Sequence, residues 1–237
     1  MKIKWIGQSG YIIKTETTEI IIDPYLSDVV NRVANRPRLV EAPIQPEEVN
    51  ADAVICTHNH LDHLDVDAIA KMCKEQFFIT TNEGKLKLQE MGYENVRSLV
   101  VGESVKVGDM EIIAVYAKHT VEAIGVVLKA DGKTLYFSGD TLYDEQLFEI
   151  AEYQPNITFI CINGKLGNMD VNEAVKVAKK IGAEWNVPNH YGMFASNTEN
   201  PEKFTKQLDN GFVMEYCKEY NIKLGSLDEC LEDAENM

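Results

Sequence analysis

Four side chains that can bind a metal ion fall within six positions, directly after a short apolar segment. His58, His60, Asp62 and His63 follow the run Ala53-Val54-Ile55-Cys56, which predicts a buried strand. His58 and His60 are two residues apart in an extended segment, so their side chains point to the same side. Asp62 and His63 come after a turn of the chain and would face a second metal ion close by. Imidazole nitrogens combined with a carboxylate are the donors that hold zinc, iron or manganese.

The remaining histidines occupy similar places at the ends of predicted strands. The chain has five histidines in all, and His119 and His190 each lie where a predicted strand gives way to a loop. Between them, the apolar run 135–137 is followed closely by Asp140. A lone histidine at a strand end is more often a packed side chain than a metal ligand. Because no histidine falls anywhere else, we expect all five in one metal site.

The order of these residues resembles the signature of the metallo-β-lactamase superfamily, which is H-x-H-x-D-H followed by His, Asp and His. The resemblance implies two sets of metal ligands bridged by one aspartate: His58, His60 and His119 for one ion, Asp62, His63 and His190 for the other, and Asp140 between them. Asp23 matches an early aspartate of the superfamily that supports the ligands from behind. The cofactors would be two divalent ions, zinc or manganese, with iron as a further candidate.

Phrases outside the metal motifs resemble the branch of this superfamily that contains ascorbate-6-phosphate lactonases. The resemblance runs from about residue 3 to residue 205, and its phrases include Gly7-Gln8-Ser9-Gly10, Asp23-Pro24-Tyr25-Leu26 and Pro188-Asn189-His190-Tyr191. It implies hydrolysis of a cyclic ester on a sugar phosphate by a hydroxide that bridges the two metal ions. Asp62 would orient this hydroxide as the catalytic base and pass its proton to the leaving alkoxide.

An anionic substrate of this kind needs cationic and polar contacts. Our candidates lie in the segment with Tyr191 and in two further segments of the resemblance, Pro37-Arg38-Leu39-Val40 and Ile162-Asn163-Gly164-Lys165. They are Arg38, Asn163, Lys165 and Tyr191. A guanidinium matches phosphate or carboxylate oxygens in pairs. The glycines of the loop 163–169 permit close backbone approach, and the predicted helix that follows favours negative charge at its N-terminus. Whether Arg32 and Arg36 contact substrate or only solvate their loop stays open.

Two other functions are compatible with the same residues. A metal-dependent phosphodiesterase could use this ligand set, and a sensor or subunit could hold metal without catalysis, although such proteins often lack one ligand or Asp62. A Ser-His-Asp triad is excluded because every histidine is assigned to metal. The net charge of −15 disfavours the nucleases of the superfamily, since affinity for phosphate backbones comes largely from lysine and arginine.

Composition predicts a cytoplasmic protein that binds neither nucleic acid nor membrane. The hydrophobic fraction of 45% and the charged fraction of 26% are ordinary for a globular protein. Five cysteines without a C-x-x-C pair favour a reducing compartment. We find neither a signal-peptide pattern nor a stretch approaching the ~20 apolar residues that span a bilayer. A homo-oligomer is compatible with the sequence.

The elements that would position these residues indicate an α/β fold, a four-layer αββα sandwich formed by residues 1–237 as a single domain. Alternating apolar residues predict strands in both halves, with helices outside them. A helix after Asp170 has capping-box spacing and a buried stripe. We expect residues 24–50 to be irregular, a strand near 222–224, and a last helix capped by Ser226 and Glu229. Strand ends from both halves would then meet at one edge and hold the metals.

Overall fold

A computed structural model describes residues 1–223 and 226–229 of the chain. The strands in these residues are β1 (Lys2–Gly7), β2 (Gly10–Lys14), β3 (Glu19–Ile22), β4 (Ala53–Ile55), β5 (Phe78–Thr80), β6 (Val96–Ser98), β7 (Ser104–Val107), β8 (Met110–Tyr116), β9 (Ile124–Ala130), β10 (Lys133–Phe137), β11 (Ile157–Cys161), β12 (Trp185–Asn189), β13 (Glu219–Lys223) and β14 (Ser226–Glu229). The α-helices are α1 (Val29–Ala34), α2 (Val66–Ile69), α3 (Asn82–Glu90), α4 (Val171–Ile181) and α5 (Glu202–Thr205), with 3₁₀ helices at Pro46–Glu48 and Glu145–Tyr153.

The strands form two sheets, each with a parallel section. The first sheet has the order β14-β13-β1-β2-β3-β4-β5-β6, and the second has the order β12-β11-β10-β9-β8-β7. Strands β3 to β6 run parallel to one another, as do β10 to β12. The carboxyl ends of parallel neighbours meet at one edge of a sheet, and Asp23, His58, Asp140 and His190 all follow such ends.

The two faces of the first sheet bury different cores. Ile20, Ile22 and Ile55 belong to the large core between the sheets, together with residues of the second sheet. Their neighbours Ile21 and Val54 belong to a separate core with residues of α2 and α3. Alternate side chains of a strand point to opposite faces, so each strand serves both cores. The predicted α/β sandwich, with helices on the outer faces of its sheets, is confirmed.

Helix α4 covers the outer face of the second sheet and begins where the sequence predicts. Asp170 accepts a hydrogen bond from the backbone N–H of Glu173, whose side chain accepts one from the N–H of Asp170. Such a cap stabilises a helix by about 1 kcal/mol. The predicted stripe is buried, and the helix ends at Gly182 in the left-handed conformation. This capping also fixes the loop that precedes the helix.

The structure corrects two of the expectations about local elements. Residues 24–50 contain α1 and a 3₁₀ helix, whose short lengths and flanking prolines conceal them in the sequence. The helix predicted from Ser226 is instead strand β14, which pairs with β13 as an antiparallel hairpin. Backbone pairing with the sheet overrides the local capping spacing here. Leu224, predicted to end the strand before it, lies outside the described residues. None of the helices in 1–223 is long and apolar enough to cross a membrane.

Candidate metal centre

The edge where the strands end brings together all seven predicted ligands, in two groups. The first ligand group is His58, His60, His119 and Asp140, and the second ligand group is Asp62, His63 and His190. Within each group the possible ligand atoms all lie within 4.8 Å of one another. The first sheet supplies the residues that follow β4, and the second sheet supplies those that follow β8, β10 and β12. The centre therefore joins the two sheets.

Three imidazole nitrogens converge in the first ligand group. Nδ1 of His60 lies 3.0 Å from Nε2 of His58 and 3.1 Å from Nε2 of His119. Nitrogen ligands held 2.0–2.1 Å from a tetrahedral zinc ion would be about 3.3 Å apart. A single ring N–H of His60 cannot be shared well between both neighbours, whereas three lone pairs can point at one cation. The donors thus fit a metal ion.

Asp140 lies between the two groups. One carboxylate oxygen, Oδ2, is 3.8 Å from Nε2 of His119 in the first group. The other oxygen, Oδ1, is 3.2 Å from Nε2 of His63 and 3.2 Å from Nε2 of His190 in the second group. Each oxygen therefore faces a different set of imidazoles, which is the arrangement expected of a carboxylate that bridges two cations.

Two of these atoms show that hydrogen bonding within the protein does not satisfy the centre. Nε2 of His63 and Oδ1 of Asp140 are buried and have no hydrogen-bond partner among the described residues. They lie 3.2 Å apart, but without the alignment of a hydrogen bond. Because buried polar atoms are almost always paired, an unpaired nitrogen and oxygen at this point require another partner. A divalent cation supplies one.

Groups behind the ligands fix the orientation of two imidazoles. Nδ1 of His63 lies 2.8 Å from Oδ2 of Asp23, whose carboxylate also accepts hydrogen bonds from the backbone N–H and the hydroxyl of Thr57. Nδ1 of His119 lies 3.0 Å from the carbonyl oxygen of Gly167. In both rings Nδ1–H donates outward, which leaves Nε2 to face the centre. Asp23 thus lies directly behind His63, and its support of a metal ligand stays a prediction.

The two groups differ in their electrostatics. Burial lowers the pKa of His58 well below its ordinary value, and the neighbouring His63 adds to this effect. Burial acts in the same direction on His190, but the facing Asp140 and Asp62 outweigh it and raise the pKa of His190 to about 9. For Asp62, burial would raise the pKa, yet His63 and His190 hold it below its usual range. In the metal-free protein the second group therefore retains protons that a metal must displace.

The predicted substrate contacts Arg38 and Tyr191 are engaged in the fold. Arg38 donates from Nε to the carbonyl of Val40 (2.6 Å) and from Nη1 to that of Ser27 (2.7 Å), which fastens its loop. The Tyr191 side chain packs against Trp5, with ring centroids 4.8 Å apart. Tyr191 itself is only 6% exposed. Their substrate contacts stay predictions.

The loop 163–169 is likewise held by its own contacts. Nδ2 of Asn163 donates to Asn197 (2.8 Å), and Nζ of Lys165 donates to the carbonyl of Ser196 (3.1 Å). The carboxylate of Asp170 already caps the N-terminus of α4, where an anion was expected to bind. The loop has a further role, because its Gly167 carbonyl orients His119. The roles of Asn163 and Lys165 in binding substrate also stay predictions.

Sequence reasoning missed Gln8, which lies beside the second ligand group. Its Nε2 donates to Oδ2 of Asp62 over 2.8 Å, and Gln8 is completely buried. The one sequence signal for Gln8 is its place in the segment Gly7–Gly10, which resembles the lactonase branch. Arg32, whose role was left open, forms a paired ion contact with Asp67 at 2.8 and 2.6 Å.

Comparison with known proteins agrees with this geometry. A family model described as "Beta-lactamase superfamily domain" matches residues 18–191. A UPF0173 metal-dependent hydrolase of Koribacter versatilis is 30% identical, covering 95% of this chain and 96% of that protein. A protein of the same description from Methanopyrus kandleri is 29% identical, covering 88% of this chain and 92% of its own.

Two solved structures share the fold. A metallo hydrolase from Ignicoccus hospitalis superposes with a TM-score of 0.76 at 24% identity, and an isothiocyanate hydrolase from Delia radicum gut bacteria superposes with a TM-score of 0.79 at 20% identity. Each likeness covers 94% of this chain and 99% of the other. From the family match, the sequence relatives and the two ligand groups together, the chain belongs to the metallo-β-lactamase superfamily and, within it, to the family of UPF0173 metal-dependent hydrolases.

Proposed function

We propose that the protein is a lactonase that binds two divalent metal ions and hydrolyses a cyclic ester of a small anionic substrate. The observation that carries the proposal is the position of Asp140, which presents one oxygen to each ligand group. His58, His60 and His119 would hold one ion, and Asp62, His63 and His190 the other. Two ions bound there would lower the pKa of a shared water toward neutrality and polarise the ester carbonyl.

Asp62 is the residue of the centre best placed to move a proton. Its side chain is 18% exposed, whereas those of Asp140 and His190 are 6% and 1% exposed. An entering substrate can therefore reach Asp62 more readily than the other two. Burial would raise the pKa of Asp62, but His63 and His190 outweigh it, so the carboxylate is ionised at neutral pH and offers an oxygen that can accept a proton from water. Opening of the ester ring then requires that proton at the alkoxide oxygen, and Asp62 would deliver it.

The substrate class we favour is a sugar-phosphate lactone such as ascorbate 6-phosphate. Support comes from the phrases that resemble the lactonase branch and from two cationic side chains within them, Arg38 and Lys165. In the structure both donate to backbone carbonyls, and Lys165 is exposed. Rotation of a lysine away from one carbonyl costs little, so Lys165 is the more available of the two for a phosphate.

The decisive experiment is a substrate panel with metal content measured on the same preparation. Protein reconstituted with zinc or manganese is offered a phosphorylated lactone, its unphosphorylated analogue and a simple phosphodiester, and acid release is followed. We expect the phosphorylated lactone to give the highest kcat/KM. Preference for the phosphodiester would establish instead a phosphodiesterase, the second candidate for this ligand set. Full metal content without turnover of any compound would indicate a protein that only binds metal.

A further inference from the structure

Gln8 has an unusual backbone for a buried glutamine. It lies between β1 and β2 with φ of 50°, in the left-handed region that side chains other than glycine rarely adopt. The indole N–H of Trp5 donates to its carbonyl over 3.0 Å, and an isolated bridge pairs its backbone with Tyr191. Tyr191 directly follows the ligand His190, so the bridge places Gln8 next to the second ligand group. Strained residues of this kind concentrate at functional sites.

The carboxamide of Gln8 contacts the second ligand group directly. Nε2 lies 2.8 Å from Oδ2 of Asp62 and 3.1 Å from Nε2 of His190. An ionised carboxylate only accepts hydrogen bonds, so the NH₂ of the amide must be the end that faces Asp62. Among the described residues, Oε1 of Gln8 is buried without a hydrogen-bond partner. The side chain of Gln8 therefore leaves its Oε1 without a hydrogen bond, while its Nε2 donates one to Asp62.

We propose that Gln8 is a positioning residue, which fixes the carboxylate of Asp62 in the orientation needed to bind the second metal ion. One N–H of Gln8 occupies Oδ2 on the side of Asp62 that faces it, and this limits rotation of the carboxylate. This inference rests on the proposed two-metal function.

A purely structural role for Gln8 predicts a different effect of its replacement on metal binding. If Gln8 only filled space, an apolar side chain of similar length would serve equally well and would relieve the unpaired Oε1. If Gln8 positions Asp62, the same change must weaken metal binding in the second ligand group and leave the first ligand group intact. Residues that orient metal ligands typically change affinity or activity by about 10–100-fold when replaced.

The test compares Gln8→Met with Gln76→Met. Gln76 is a matched control because it is buried and its Nε2 donates to the carbonyls of Ala51 (2.9 Å) and Phe77 (3.2 Å), neither of which belongs to a ligand group. Zinc is titrated into metal-free protein against a fluorescent chelator, and thermal unfolding of the metal-free forms is recorded. We expect Gln8→Met to lower the affinity for one zinc equivalent by about 10–100-fold and to leave the other unchanged. Gln76→Met should alter only the melting temperature.

A double-mutant cycle with Asp62→Asn tests whether Gln8 influences zinc affinity through Asp62. If Gln8 acts through Asp62, then Gln8→Met costs little further affinity once Asp62 is replaced. If Gln8→Met binds both zinc equivalents with wild-type affinity, the proposal is wrong. It is also wrong if neither Gln8→Met nor Gln8→Leu folds, because Gln8 would then be needed for the fold itself. If the wild-type protein binds only one zinc equivalent, the two-metal function is wrong. This outcome differs from the outcomes that contradict the role of Gln8, so the two proposals are tested separately.

Discussion

The carbonyl oxygen of Gly167 lies 3.0 Å from Nδ1 of His119, although 48 positions separate the two residues in the chain. Gly167 has φ of +92°, and a Cβ added to it would meet Cε1 and Nδ1 of His119 at 3.0 Å. Glycine is required here for two independent reasons, the left-handed backbone and the close approach of the imidazole. The loop that is predicted to bind substrate therefore also positions His119 of the first ligand group.

We accordingly expect Gly167→Ala to damage the first ligand group. The added methyl group displaces His119, and zinc affinity in that group should fall by about 10–100-fold. Gly92→Ala is the control, because Gly92 also has a positive φ (+84°) but open space around its Cβ position. Both variants should lose about 1–2 kcal/mol of stability, because alanine is strained in the left-handed conformation. Equal zinc affinity in both variants would contradict the role of Gly167, and chelator competition provides the measurement.

Metal content is the simplest prediction. Protein purified without chelator and reconstituted with zinc or manganese should contain close to two equivalents per chain by elemental analysis, because two ligand groups are present. His60→Ala should lose the ion of the first group and His190→Ala that of the second. Consistent failure of the wild type to bind more than one ion would refute the two-metal mechanism.

Replacement of Asp62 by Asn separates binding from chemistry. Asn keeps an oxygen donor but removes the charge and the proton acceptor, so kcat should fall by about 10²–10⁴-fold while the fold is retained. The comparison is made at equal metal content, with circular dichroism as the check on folding. Turnover at the wild-type rate with both ions bound would show that another group moves the proton.

The pH dependence of stability in the metal-free protein follows from His190. Burial lowers its pKa, but Asp140 more than compensates, and the result is about 9, compared with 6.5 ordinarily. Between pH 6.5 and 9 the folded protein holds a proton that the unfolded chain has released. The free energy of unfolding should therefore fall as pH rises through this window, by on the order of 1–3 kcal/mol.

Urea unfolding of chelator-treated protein at pH 6.5 and at pH 9 measures this change in the free energy of unfolding. Asp140→Asn is the control, since it removes the charge that raises the pKa of His190 and should flatten the dependence. A free energy of unfolding that stays constant or increases across the window in the wild type would rule out a proton held by the second ligand group.

Arg38 and Lys165 can be separated kinetically. Lys165→Ala should raise KM for a phosphorylated lactone far more than for its unphosphorylated analogue, because only the phosphate requires the charge. Arg38→Ala should do the same and should also destabilise the loop that its guanidinium fastens through the carbonyls of Ser27 and Val40. Equal losses on both substrates would assign the two residues to the fold and the phosphate to other contacts.

The sequence was sufficient to locate the residues of both ligand groups, because their types and spacing are chemically restrictive. Imidazoles and carboxylates at strand ends have few other uses in combination, and all seven converge. Gln8 and Gly167 could not be found this way, because a glutamine after a glycine and a glycine in a loop each have many structural uses. Their roles depend on φ angles and on contacts with residues distant in sequence. The error at Ser226 has a similar cause, since pairing with β13 decides the structure there.

A centre that draws its ligands from both sheets constrains when metal can be taken up during synthesis. On the ribosome, all residues of the first ligand group have emerged once Asp140 has, but its geometry is complete only after Gly167, whose carbonyl orients His119. The second ligand group must wait until β12 has emerged and delivered His190. With two ions bound as proposed, the nascent chain would pass through a stage at which only the first ligand group is available, and a chain that stalled there would hold one ion without the other.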